Sequence, residues 1–261
     1  MRIQYISDLH FENHPKQTYD EMLLPKAPVL ALLGDICRVD SPKAYSFFEW
    51  LSERWETVLW IPGRLEVWGS GFRSVDAAVE AMKARLAPFY NCQVLCYDRF
   101  ISSDGCLVIG CPLFCRPQTE MIHWDERIYV KPETCPPEML EEYKRSFAWL
   151  KNTLKEAKEP TVVLTHYAPL PWYHQEEWIV NPASLPRFFD EQLLFTPRVV
   201  AWLFGHCHVP ANENYLMGSA QGEEFSLLFT SNPAYRPDAV LRIRPELFAT
   251  GEFDRESAQN P

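Results

Sequence analysis

Ile3-Gln-Tyr-Ile6 is a short, mostly apolar run that stops abruptly at Ser7-Asp8-Leu9-His10. The pattern recurs downstream: residues 29–33 end on Gly34-Asp35, 57–61 on Pro62-Gly63, 161–165 on His166, and 199–204 on Gly205-His206. Continuous apolar runs of this length predict strands of a parallel sheet buried on both faces. Ser41-Pro42 supplies an N-cap and a first-turn proline, and Phe47, Phe48, Trp50, Leu51 and Trp55 form a stripe, so a helix is predicted there. Further helices are predicted over 72–86 and 137–157, with a short strand at 93–96 and two final strands near 226–230 and 239–243. Ser102-Ser-Asp-Gly105 reads as a hairpin turn between Ile101 and residues 106–111. The Pro- and Trp-rich stretches at 112–137 and 170–186 read as lid-like insertions, and 252–261 as a frayed tail. With no repeat or linker, the pattern predicts one α/β domain over 1–251.

Composition narrows the partners. A formal net charge of −10 and a pI near 5.2 oppose a nucleic-acid backbone as ligand. They do not oppose a small anionic substrate held by a metal, because a bound cation dominates its local field. No apolar stretch reaches membrane-spanning length, and a strand from residue 2 leaves no room for a signal peptide, so a cytoplasmic chain with no membrane partner is expected. The eight cysteines form no paired CxxC frame and read as reduced core thiols.

The strand-end groups Asp8, His10, Asp35, His166, His206 and His208 are two carboxylates and four imidazoles. That set suits a pair of divalent transition ions (Mn, Fe or Zn) with one carboxylate between them. Two ions about 3.5–4 Å apart can clamp a phosphoryl group for in-line attack. A lone strand-end Asp more often caps a turn, and His14, His123 and His174 are read as ordinary packing or surface groups.

Asp8-x-His10, Gly34-Asp35, Pro62-Gly63 with Glu66, Thr165-His166 and Gly205-His206-x-His208 resemble, in order, the motifs of the calcineurin-like metallophosphoesterases. The resemblance runs over nearly the whole chain and is nearest to small single-domain members of the kind found in fungi. It implies a two-sheet β-sandwich flanked by helices, with metals at the C-terminal strand ends. It further implies that Asp8, His10, Asp35 and His208 hold a first ion, and that Asp35, His166 and His206 hold a second.

The third motif departs from the family's Gly-Asn-His-Glu, reading Gly63-Arg64-Leu65-Glu66. By resemblance the Asn would ligate the second ion, whereas Arg64 has no acceptor. The His would protonate the leaving oxygen, which Leu65 cannot do, and such general acid catalysis contributes roughly 10²–10⁴-fold. One ion site is therefore expected and the second is in question. Three readings follow. The chain is a handicapped phosphoesterase with Arg64 as phosphate clamp. Alternatively, it is a repurposed single-ion enzyme, with Arg64 beside Asp35 and His166 as the catalytic groups. Leu65, Trp124, Tyr167 and Trp172 would then line a pocket for a hydrophobic, carbonyl-bearing small molecule of specialised metabolism. Or it is a scaffold without catalysis. The repurposed enzyme is the reading carried forward, because both changes remove phosphoesterase function and Leu65 adds apolar surface.

Overall fold

The computed structural model describes residues 1–11, 18–114, 137–169, 194, 196–206, 211–218, 224–231 and 240–242. The apolar runs form the centres of two sheets. In the first, β1 (Arg2–Ile6), β2 (Val29–Leu32), β3 (Thr57–Trp60) and β4 (Cys92–Val94) lie parallel in that order. In the second, β5 (Asp98–Ile101), β6 (Leu107–Cys111), β7 (Thr161–Thr165) and β8 (Val199–Phe204) continue to β10 (Glu224–Ser231) and then the edge strand β9 (Ala211–Gly218). There β6, β7, β8 and β10 are parallel, while β5 and β9 pair antiparallel at the edges. A last strand, β11 (Val240–Arg242), closes the first sheet antiparallel to β1.

Two-residue periodicity divides each strand between layers. Ile3, Tyr5, Ala31, Leu33 and Leu59 of the first sheet meet Val108, Val162, Leu164 and Leu203 of the second in the central core. The opposite faces of β1–β3, through Ile6, Leu32 and Trp60, pack on α2 (Pro42–Ser52) and α3 (Val75–Leu86). On the far side Val163, Trp202 and Phe204 pack with Leu150 and Leu154 of α4 (Pro137–Glu156). The result is the helix-flanked two-sheet sandwich that the motif resemblance implied. Gln4, fully buried in β1, is satisfied because its amide bonds the Leu24 carbonyl, the Lys26 N–H and the Trp55 indole N–H.

Four details differ from the sequence pattern. Helix α3 starts at Val75, not 72, because the Ser74 hydroxyl accepts the Ala77 N–H at 3.2 Å and caps it. A single helical turn, α1 (Tyr19–Met22), arises from a capping box between Thr18 and Glu21. Strand β9 was unexpected, since Ala-Asn-Glu-Asn-Tyr-Leu-Met-Gly has little strand propensity; β10 is the neighbour it pairs with. Residues Leu65–Gly69 form a π-helical turn, a form that clusters at functional sites. The expected insertions lie outside the described residues except for 112–114 and 137, as does the tail. Among the described residues no helix is long and apolar enough to cross a membrane.

Candidate metal centre

The candidate ligands converge because hydrogen bonding between β1 and β2 continues past their ends. Leu33 N–H donates to Ile6 O at 2.8 Å, Asp8 N–H to Gly34 O at 3.0 Å, and His10 N–H to Asp35 O at 3.1 Å. The two ligand-bearing loops therefore run side by side. Asp8, His10, Asp35 and His206 all adopt left-handed backbone, with φ of 57°, 44°, 52° and 65°. Asp and His tolerate this region better than most residues, yet each such position costs about 1–3 kcal/mol and persists only where the surroundings enforce it. Glycines permit the close approach: a Cβ on Gly34 (φ 85°) would sit 2.5 Å from His166 Nδ1, and one on Gly205 would sit 2.6 Å from Ser7 Cβ.

Two triads of ligand atoms result, Asp8–His10–Asp35 and Asp35–His166–His206, each with its ligand atoms within 4.8 Å of one another. Asp35 belongs to both. The His166 Nδ1–H is held by the Leu33 carbonyl at 2.8 Å, which turns Nε2 toward the site. That Nε2 is buried, has no hydrogen-bond partner among the described residues, and lies 3.5 Å from Asp35 Oδ2. Asp8 Oδ2 accepts the His206 N–H at 3.0 Å, and the His206 ring stacks on Tyr167 at 3.9 Å. Mixed carboxylate and imidazole donors, one ring fixed by a carbonyl with its other nitrogen left over, fit a divalent transition ion in each triad.

The charges agree with this. Burial alone would raise the Asp35 pKa, but the His166 imidazole, the Leu65 N–H and His10 outweigh it and hold the carboxyl well below its ordinary range. Burial would lower His166, yet the charges of Asp35 and Asp8 and the Leu33 carbonyl push it up to about 9. The 3.5 Å approach of His166 to Asp35 and the raised pKa both favour an imidazolium paired with Asp35, and a bound ion would take the place of its proton. A pKa raised on folding stabilises fully below the unfolded value and is lost as pH rises through the folded one. Chelator-treated protein is accordingly expected to lose melting temperature between pH 6.5 and about 9, and Asp35→Asn to show a smaller decline, since Asp8 and the Leu33 carbonyl remain. A flat melting profile in the wild type would contradict the pairing.

Arg64 was expected beside Asp35. It is half-buried at the start of the π-helical turn, its Nε has no hydrogen-bond partner among the described residues, and the ionic neighbour of Asp35 is His166 rather than Arg64. His166 follows β7 of the second sheet, and its contact with the Leu33 carbonyl past the end of β2 brings it to Asp35. The half-buried Leu65 lies along the turn against Gly69. Tyr167 is buried as the stacking partner of His206. His208, Trp124 and Trp172 lie outside the described residues.

Glu66 had no assigned role from sequence. Its carboxylate is fully buried and accepts N–H groups from Asp35, Gly63 and Ile36 at 2.8–2.9 Å, and from Cys37 and the Trp60 indole at 3.3–3.4 Å. Burial and the Asp35 charge push its pKa up to about 7, opposed by the backbone N–H groups. Five donors leave no acceptor for a carboxyl proton, so the geometry fits the ionised form.

The profile of the family described as calcineurin-like phosphoesterase matches residues 1–210. Uncharacterized protein L509 of Acanthamoeba polyphaga mimivirus is 25% identical over 240 residues, covering 80% of this chain and 85% of its own. The crystal structure of TT1561 of Thermus thermophilus covers 88% of this chain and 89% of its own at 14% identity, with a TM-score of 0.44. A further crystal structure, at 12% identity over 87% of this chain and 89% of its own, reaches a TM-score of 0.51 and shares the fold. With the profile spanning 210 of 261 residues, the chain belongs to the calcineurin-like phosphoesterase family.

Proposed function

We propose that the protein is a metal-dependent phosphoesterase acting on phosphate esters whose leaving group departs without being protonated. The carrying observation is the pair of ligand triads sharing Asp35, with His166 fixed by the Leu33 carbonyl. When bound, divalent ions supply Lewis acidity and neutralise charge on a phosphoryl group. Asp35 and His166 orient that centre. Arg64, half-buried with an Nε lacking a hydrogen-bond partner among the described residues, is the candidate clamp for a phosphoryl oxygen. Water adds to phosphorus, the ester P–O bond breaks, and the leaving oxygen departs as an anion that bulk water protonates. Leu65, where the family resemblance implies a His, has no proton to give. The carbonyl-substrate reading has less support, since it needed Arg64 beside Asp35, where His166 is the ionic neighbour.

The test is the rate of the Mn²⁺-loaded protein across aryl phosphates of rising phenol pKa. Phenyl phosphate is expected to turn over roughly 10²-fold more slowly than 4-nitrophenyl phosphate, the lower end of what a missing general acid costs. Failure to hydrolyse even the nitrophenyl ester, or rates indifferent to the leaving group, would overturn the proposal.

A further inference from the structure

We infer, building on the metal-centre reading above, that Glu66 is the positioning residue of the centre: its carboxylate fixes the peptide that carries Asp35, and through it both ligand triads. Glu66 Oε2 accepts the Asp35 N–H at 2.9 Å and the Gly63 N–H at 2.8 Å, while Oε1 accepts the Ile36 N–H at 2.8 Å. One carboxylate thus ties the loop after β2 to the loop after β3. The neighbouring residue completes the grip, because the Leu65 N–H donates to Asp35 Oδ1 at 2.7 Å. Asp35 is held at both ends, its main chain by a side chain and its side chain by a main chain.

This grip accounts for two further features. Asp35 is left-handed at φ 52°, a conformation that its surroundings must enforce, and Glu66 bonds the N–H on one side of that residue and of the next two. Gly63 has no room for a Cβ, which would strike the Asp35 amide nitrogen and Oδ1, so the two loops touch through backbone. The grip uses the N–H of residue 65 and not its side chain. A leucine there leaves Asp35 in place, so the positioning half of the third motif is intact where its side-chain chemistry has changed.

The test is calorimetric titration of the metal-free full chain with Mn²⁺, beside near-ultraviolet circular dichroism and melting curves. Glu66→Gln turns an amide NH₂ toward backbone donors. It is expected to weaken Mn²⁺ binding roughly 10–100-fold, the usual effect of removing a group that orients a ligand, at temperatures where the variant is folded. Trp60→Phe deletes the indole donor at 3.3 Å and is expected to weaken binding less, in the same direction. A Glu66→Gln chain that melts lower yet binds Mn²⁺ as tightly as wild type would show a purely structural carboxylate and overturn the inference alone. If Glu66→Gln does not fold, Trp60→Phe decides, and unchanged affinity overturns it. A wild-type chain that binds no Mn²⁺ overturns the metal-centre reading and this inference with it.

Discussion

Asp35→Ala is expected to leave the chain without a stoichiometric divalent ion, whereas His10→Ala and His166→Ala each remove one. The asymmetry follows from geometry, because Asp35 is the member common to both triads. Without it one cluster keeps Asp8 and His10, and the other keeps His166 and His206. Two neutral imidazoles are a poor set for a hard or borderline ion, and a single carboxylate with one imidazole is little better. The substitution also strips the acceptor from the Leu65 N–H and the counter-charge from buried His166. Leaving a buried donor unsatisfied costs about 1–3 kcal/mol, so a lowered melting temperature should accompany the loss of metal. The backbone N–H that Glu66 holds survives, which keeps the loop path intact. Elemental analysis of purified chains decides the matter. One ion retained by Asp35→Ala would mean that the two triads are independent.

The strands were legible because buried parallel strands are written as unbroken apolar runs, and four of the five runs, all but 57–61, ended where a ligand began. Asp8, His10, Asp35, His166 and His206 could be read from that alone. Strand β9 could not: an edge strand of Asn, Glu and Met relies on its partner β10 and carries little intrinsic signal. Nor was the left-handed backbone at the ligands visible, since nothing in an Asp or His announces a positive φ. The role of Glu66 was illegible for a related reason. Resemblance places it as the last member of the third motif, but nothing in the sequence says what it does until five N–H groups are seen to point at it. Nor was the ion pair between Asp35 and His166 visible, since the two lie far apart in sequence. Contacts of that kind are set by strand order, which a linear pattern does not contain.

Arg64→Asn combined with Leu65→His is expected to raise aryl phosphate hydrolysis by at least about tenfold, with gains approaching the roughly 10²–10⁴-fold of general acid catalysis for the poorest leaving groups. The contribution of a proton donor grows with the basicity of the departing oxygen. Phenyl phosphate should therefore gain more than 4-nitrophenyl phosphate, and the leaving-group dependence should flatten. The exchange is feasible in the fold: residue 65 holds Asp35 by its backbone N–H, which histidine keeps, and its side chain is half-buried on the π-helical turn. The single variants separate the two losses. Leu65→His returns a proton donor alone, and should flatten the leaving-group dependence without altering Mn²⁺ stoichiometry. Arg64→Asn returns a side-chain oxygen, and should tighten the ion of the His166–His206 triad without flattening it. A double variant that gains equally on every ester would place the deficit in metal binding. One that gains on none would mean that the pocket beyond residues 64 and 65 has diverged from phosphate-ester chemistry.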